Sequence, residues 1–201
     1  FNSLKMGKDF AEKNNIENIK FIRGDIFDKN FKNESFDFIW CNGVLHHTKN
    51  PYEAFKSVIP CLKKNGYILL GLYNKIGRFR TKFRKYVYKF FGKKAIIKLD
   101  PILRNIPNNS QDKINAWIKD QYTHPVECTH TFDEILKWFK MNNVEFINSV
   151  PGCSLFHEIQ KDFFRKNSKA TYIERILQQF FMIFSKSGSE GGLFIFIGKK
   201  M

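Results

Sequence analysis

The chain has 201 residues, of which 43% are hydrophobic and 26% charged, so it is long enough for one α/β domain with a buried core and is not of the disordered class. No stretch approaches the roughly 18 consecutive apolar residues of a membrane-spanning helix. The net charge of +15 has two explanations of equal weight: attraction to a polyanion, an anionic membrane or an acidic substrate, or a lysine-rich composition without functional meaning.

The first part of the chain alternates helices and strands. An amphipathic helix is predicted over Ser3–Asn14, followed by a short strand at Ile19–Arg23 and an apolar strand at Phe36–Cys41. Asn50 and Pro51 predict the start of a second helix, which Pro60 bends and Asn65-Gly66 ends. A third buried strand is predicted at Tyr67–Tyr73.

The same alternation returns near the end of the chain. A Thr-x-x-Glu capping box opens a helix over Thr131–Met141, and strands are predicted at Val144–Val150 and Leu193–Ile197. Two helix-rich, aromatic inserts, at about 75–130 and 152–190, interrupt the pattern. Strand, helix and strand in this order favour an α/β fold with a doubly wound sheet in a single domain.

Three segments carry a resemblance to a known family. They are FIRGDI (21–26), FDFIWCNGVLHHTKNP (36–51) and LKKNGYILLGLYN (62–74). Together they resemble the third to fifth strands of class I S-adenosylmethionine-dependent methyltransferases, most closely uncharacterised bacterial members with a basic helix after the fifth strand. The resemblance implies a Rossmann-like sheet, S-adenosyl-L-methionine as cofactor, and methyl transfer to a small-molecule or lipid-linked acceptor.

Two family elements have no counterpart in the 201 residues: the glycine-rich turn after the first strand and the acid that ends the second. We therefore expect an N-terminally truncated domain that lacks its first two strands and is inactive alone. Ile19–Arg23 is then expected to lie apart from the sheet, or to be poorly ordered. Phe36–Cys41, Tyr67–Tyr73, Val144–Val150 and Leu193–Ile197 are expected to stay paired.

The resemblance also assigns cofactor-binding residues. Asp25 and Ile26 correspond to the residues that bind adenine, and Cys41, Asn42 and Gly43 to those near the methionine end of the cofactor. The alternatives are that Asp25 caps the next turn and that residues 41–43 form an ordinary turn after a strand. We expect Asp25 and Asn42 at adjacent carboxyl edges of one sheet, facing a common cleft.

Most of the residues predicted to lie near the methyl acceptor are histidines. His46 and His47 are candidates for a general base, although the Leu-His-His sequence also fits a role in shaping the loop. Tyr73, Tyr122, His124 and His130 are the candidate substrate contacts, and a solvated loop is the alternative for the last two. The spacing of His124, Glu127, Cys128 and His130 matches no standard zinc site, so no metal is predicted.

The segment 75–98 contains ten basic residues and no acid, with Phe79, Phe83, Val87 and Phe90 at helical spacing. We favour a lid that packs this aromatic face on the domain, over a helix that contacts an anionic membrane surface. The second function class is a non-catalytic methyltransferase-like module that binds membrane or nucleic acid through this helix, with nucleic acid the less favoured partner. A nucleotide-binding oxidoreductase is disfavoured, because no Gly-x-Gly-x-x-Gly motif is present.

The four cysteines form no Cys-x-x-Cys pair, which favours reduced thiols and a cytoplasmic location, with or without peripheral membrane contact.

Calorimetry on the 201-residue chain should detect no tight binding of S-adenosylmethionine, since the glycine-rich turn and the ribose acid are not in its sequence. A polypeptide that also carries these elements upstream of Phe1 should bind it. A sub-micromolar dissociation constant for the chain alone would contradict the expectation.

Overall fold

The computed structural model describes residues 2–28, 31–107, 110–155, 162–184 and 192–201. In these ranges the chain forms one four-stranded mixed sheet in the order β1-β2-β4-β3. The strands are β1 (Phe36–Asn42), β2 (Leu62–Tyr73), β3 (Val144–Val150) and β4 (Leu193–Lys200). The helices are α1 (Asn2–Lys13), α2 (Pro51–Val58), α3 (Phe79–Leu99), α4 (Pro101–Asn105), α5 (Gln111–Tyr122), α6 (Phe132–Met141) and α7 (Tyr172–Phe181).

The pairing of the four sheet strands agrees with the sequence prediction. β1 runs parallel to β2, and β4 lies antiparallel between β2 and β3. The register places Asn42, the last residue of β1, opposite Gly71 of β2. The carboxyl ends of β1 and β2 therefore meet at one edge of the sheet, where ligands of α/β proteins bind.

Ile19–Arg23 is not a strand, so this element of the sequence prediction is wrong. The segment lies outside the sheet, as expected for it. An extended backbone needs a neighbour to pair its amides and carbonyls, and no strand in the described part of the chain runs beside it. Side chains hold the region instead: the ring of Phe21 lies against Gly7 of α1, and the Ser57 hydroxyl donates to the Ile26 carbonyl at 2.7 Å.

The second helix is shorter than predicted. Asn50 caps it by accepting from the Glu53 amide, but α2 ends at Val58 and a 3₁₀ turn covers Ile59–Cys61. Pro60 has no amide proton and cannot continue the ladder of helical hydrogen bonds. Residues 62–66 consequently belong to β2, and Asn65 lies inside the strand with φ of 65°.

The main core lies on the face of the sheet that α2 and α6 cover. Phe55 of α2 stacks on Phe139 of α6 at 5.8 Å between ring centroids, and Phe139 meets Phe196 of β4 at 6.3 Å. Helix α6 begins with the predicted capping box, in which Thr131 and Glu134 bond each other's backbone amides. Phe196, fully buried, is surrounded by four rings: Phe132, Phe139, Phe146 and Phe194.

The basic helix does not pack its aromatic face on the domain, so the prediction of such a lid is wrong. Phe79, Phe83 and Phe90 are 63%, 59% and 73% exposed. The rotation of α3 is set by Arg78, the residue before its first turn, whose fully buried guanidinium is held by Glu127. Because the Arg78 side chain points inward to its partner, the aromatic side chains lie on the outer face of α3.

Helix α3 is kinked at Gly92, which has φ of 71°. The part after the kink packs with α4 and α5 around a small separate core formed by Ile96, Leu103, Ile114, Ile118 and Tyr122. Among the described residues, no helix is long and apolar enough to cross a membrane.

Phe196→Ala should lower the free energy of unfolding by about 3–5 kcal/mol, because it leaves a cavity among four rings. Met141→Ala, at an exposed position at the end of α6, is the control and should change it by less than about 0.5 kcal/mol. Urea denaturation measures both values. Equal stabilities of the two variants would show that the core does not centre on Phe196.

Candidate functional site

The carboxyl ends of β1 and β2 make one wall of the site. A methyl group on Gly71 would lie 1.8 Å from Asn42 Oδ1, so the Asn42 amide rests directly on the glycine backbone. Gly43 follows with φ of 74°, and its amide donates to the Gly71 carbonyl at 3.1 Å. Asn42 Oδ1 is buried and accepts no hydrogen bond from the described part of the chain. A buried acceptor of this kind can receive a donor from a bound molecule.

Cys41 precedes Asn42 and points into the main core. Burial raises the pKa of its thiol to about 11, so the thiol stays protonated and is not a nucleophile at neutral pH. Only the backbone of Cys41 is therefore available to a ligand at this edge.

His46 lies in the 3₁₀ turn Leu45–His47 that follows β1. Its ring is fully buried and packs on Tyr73, the last residue of β2, at 4.0 Å between centroids. Burial, together with the charges of His47 and Arg78, lowers the pKa of His46 to about 3. The ring is neutral at pH 7, and neither of its nitrogens has a hydrogen-bond partner in the described ranges.

His47 and His124 form a close pair beside His46. Their rings lie 3.8 Å apart, and their Nδ1 atoms are 3.1 Å apart. Both Nδ1 atoms also lie within hydrogen-bond distance of the Val126 carbonyl, at 3.1 and 2.6 Å. Asp120 Oδ1 is 3.9 Å from His47 Nε2.

Tyr73 is held from two sides. The guanidinium of Arg78 lies 3.5 Å above its ring, and Gln121 Nε2 donates to its hydroxyl oxygen at 3.0 Å. Arg78 in turn donates to Gln121 Oε1 at 2.8 Å. Burial raises the pKa of the Tyr73 hydroxyl, which therefore stays protonated at neutral pH.

Glu127 anchors the loop between α5 and α6. It accepts two hydrogen bonds from Arg78, at 3.1 and 2.6 Å, and one from Lys85 at 2.9 Å. Burial alone would raise the pKa of Glu127, but these bonds outweigh it and lower the pKa to about 2. The loop is also joined to the sheet edge, because the Cys128 amide donates to the His46 carbonyl at 2.8 Å.

Two predicted substrate contacts point elsewhere. The backbone of His130 pairs with the end of β2, while its ring meets Trp138 of α6 edge-on at 4.9 Å. The Tyr122 hydroxyl donates to Asp100 in the small helical core, and burial raises its pKa. The structure thus brings His46, His47, Tyr73 and His124 together. It joins the His130 amide to the Tyr73 carbonyl and turns the Tyr122 hydroxyl toward Asp100. The role of each remains a prediction.

Asp25 and Ile26 lie in a turn between α1 and β1. Asp25 Oδ1 accepts from the Phe27 amide at 3.0 Å, which is the capping arrangement named as the alternative for this residue. Ile26 packs against the core that includes Cys41 and Leu45. Asp25 does not follow a strand, so the expectation that it lies at a strand end beside Asn42 is not met.

The sequence did not single out Arg78 and Gln121, although they fix Tyr73. Arg78 is one of ten basic residues in segment 75–98, and nothing in the sequence distinguishes it from the other nine. In the described ranges, no group of three or more His, Cys, Asp or Glu side chains could hold a metal ion.

Comparison with known proteins finds a family similarity in the N-terminal third of the chain. Residues 2–70 match the family model described as a methyltransferase domain. An uncharacterized methyltransferase, YcgJ of Bacillus subtilis, is 31% identical over 67 residues, which are 33% of this chain and 26% of that protein. The chain thus spans about a quarter of this curated relative.

Solved structures extend the similarity over the whole fold. PKMT2 from Rickettsia typhi, in complex with AdoHcy, has a TM-score of 0.64 at 13% identity and covers 98% of this chain and 42% of its own. A putative methyltransferase from Bacillus halodurans has a TM-score of 0.50 at 16% identity and covers 98% of this chain and 78% of its own. Residues 2–70 are thus similar to the methyltransferase domain family, and the chain as a whole has the class I methyltransferase fold.

Proposed function

We propose that the chain takes part in S-adenosylmethionine-dependent methyl transfer to a small-molecule acceptor. The family match over residues 2–70 supports the reaction class. The observation that carries the proposal is the sheet edge itself, where the unpaired Asn42 oxygen and the His46, His47, Tyr73 and His124 group follow the ends of two adjacent parallel strands. No finding favours the non-catalytic module over this activity.

The cofactor would be held at the end of β1. Asn42 Oδ1 offers an acceptor, and Gly43 leaves open space, since a side chain added there would meet no atom within 4 Å. Cys41 would contribute its backbone only. Asp25 and Ile26 are still proposed to bind the adenine end of the cofactor. When bound, the cofactor supplies a methyl group on a positively charged sulfur, which an acceptor lone pair attacks in line.

The histidine pair is assigned to the acceptor. An oxygen or nitrogen acceptor loses a proton as it gains the methyl group, so a nearby base assists the reaction. His46, with its pKa near 3, is too weak a base and is assigned to orienting the acceptor. His47, paired with His124 and 3.9 Å from Asp120, is assigned to receiving the proton. Tyr73, held by Arg78 and Gln121, forms the adjacent wall.

The acceptor is further proposed to be lipid-linked, with peripheral contact between segment 75–98 and an anionic membrane. The exposed phenylalanines of α3 and the absence of acids from this segment support the contact. A lipid-linked acceptor would then reach the site from the membrane surface.

Asn42→Ala should weaken binding of S-adenosylmethionine by the full gene product about 3- to 10-fold, the effect of one lost hydrogen bond. Gly71→Ala should do the same, because its new methyl group displaces the Asn42 amide. Asn33→Ala, at an exposed position, is the matched control and should leave the affinity unchanged. Equilibrium dialysis with labelled cofactor measures all three. Unchanged affinity in both site variants would remove Asn42 from the cofactor site.

His46→Phe should reduce the acid sensitivity of the fold between pH 6.5 and pH 5. The folded pKa of about 3 lies below the ordinary 6.5, so the unfolded chain binds a proton in this window and the folded chain does not. Stability is therefore full above pH 6.5 and falls as the pH drops, by up to about 1.4 kcal/mol per unit. Phenylalanine keeps the stack on Tyr73 and does not titrate.

Urea denaturation at pH 7, 6 and 5 gives the slope for each protein. The slope should be smaller in the variant but not zero, because burial also lowers the pKa of His130. Identical slopes would mean that folding does not lower the pKa of His46 from its ordinary 6.5, so that the ring could serve as a base at pH 7.

A further inference from the structure

Helix α7 is attached to the domain through polar side chains. Arg175 donates to Asp133 of α6 at 2.9 and 2.5 Å. Gln179 Oε1, which is buried, accepts from the Asn74 side chain at 2.9 Å and from the Phe132 amide at 3.0 Å. These bonds fix which side of the helix faces inward.

The outer side of α7 and the turn after it is apolar. Ile173 and Phe184 are 69% and 66% exposed, and the same surface includes Tyr172, Ile176, Leu177, Phe180 and Phe181. Nothing in the described ranges covers it. An amphipathic helix normally buries its apolar side and leaves its polar side in water, and α7 does the reverse. Such a surface marks an interaction site.

The apolar side of α7 continues into the exposed side of α3. Phe79 and Arg80 of α3 and Phe180, Ile183 and Phe184 line one groove of about 710 Å³. Arg80 also lies 3.4 Å from the Ile183 carbonyl. We call this combined surface, residues 79–90 with 172–184, the docking surface.

The charge of the docking surface selects its partner. Its α3 half carries Arg80, Lys82 and Lys89 in exposed positions, and the segment 75–98 contains no acid. A second copy of the chain docked through the same surface would bring two basic, acid-free segments into one interface, where their charges repel. An anionic bilayer offers both an apolar interior for the side chains of α7 and phosphates for the lysines and arginines.

We propose that α7 inserts its apolar side into an anionic membrane while the cations of α3 bind the lipid headgroups. The inference rests on the proposed contact of segment 75–98 with a membrane, and it adds the element that enters the bilayer. Binding then needs both helices: the cations draw the protein to the surface, and the side chains of α7 hold it there.

The test is co-sedimentation of the full chain with vesicles of phosphatidylcholine containing phosphatidylglycerol. Ile173→Ser with Phe184→Ser should weaken binding at least about tenfold, because two large apolar side chains no longer leave water. Met6→Ser with Met141→Ser removes two apolar side chains elsewhere that are 70% and 58% exposed, and it should leave binding unchanged. Circular dichroism confirms that each variant is folded.

Lys82→Gln with Lys89→Gln should weaken binding about 30-fold and reduce its salt dependence. Lys137→Gln with Lys140→Gln, two exposed lysines of α6, is the control for charge and should have a smaller effect. Vesicles of phosphatidylcholine alone should bind weakly.

Three results would overturn the proposal. Undiminished binding of the α7 variant, with binding lost in the α3 variant, would leave the peripheral contact intact and reject insertion of α7. Failure of the unmodified chain to bind anionic vesicles would reject both. A dimer in light scattering without vesicles that the α7 variant converts to a monomer would identify a second copy as the partner. Cofactor binding is measured separately, so none of these results bears on methyl transfer.

Discussion

The site depends on one buried charge. The guanidinium of Arg78 is out of contact with water, and a lone buried cation would be prohibitive in free energy. Glu127 neutralises it, Gln121 accepts a further bond, and Tyr73 offers the face of its ring. These partners come from three different segments of the chain. Satisfying a single side chain therefore fixes the end of β2, the end of α5 and the loop before α6 relative to one another.

The same charge also shapes the chemistry around it. Arg78 contributes to the low pKa of His46, and its pairing with Glu127 keeps that carboxylate ionised. The result is one neutral imidazole beside Tyr73 and a second imidazole, His47, next to His124 and Asp120. Two adjacent histidines in the sequence thus occupy different environments and suit different tasks.

The sheet could be predicted from the sequence because its strands are apolar and separated by turn residues. β1, β2, β3 and β4 all have the expected positions, with ends that differ by a few residues. The strand predicted at Ile19–Arg23 does not form, because a strand needs a hydrogen-bonded neighbour as well as suitable residues of its own. The sequence predicts too long an α2 for a local reason: Pro60 is expected to bend the helix, whereas the helix ends before it.

The site was less predictable, since it depends on which side chains meet. His46, His47 and Tyr73 follow strand ends that pattern alone locates, and they do lie together. Arg78 could not be told from its nine basic neighbours, because only its partner, 49 residues away, makes it a buried residue. The aromatic side of α3 faces outward, and α7 buries its polar side, because of hydrogen bonds and ion pairs between distant segments. The periodicity of hydrophobic residues does not predict such contacts.

The kink at Gly92 divides α3 into two parts with different packing constraints. The second part is held in the small core with α4 and α5, where a change of side-chain volume is felt by its neighbours. The outward side of the first part is not constrained by packing of this kind. Related proteins can therefore change the chemistry of that side, and with it the surface that they recognise, while the insert keeps its fold. One glycine thus separates a helix side whose residues are free to vary from a part whose residues are constrained by packing.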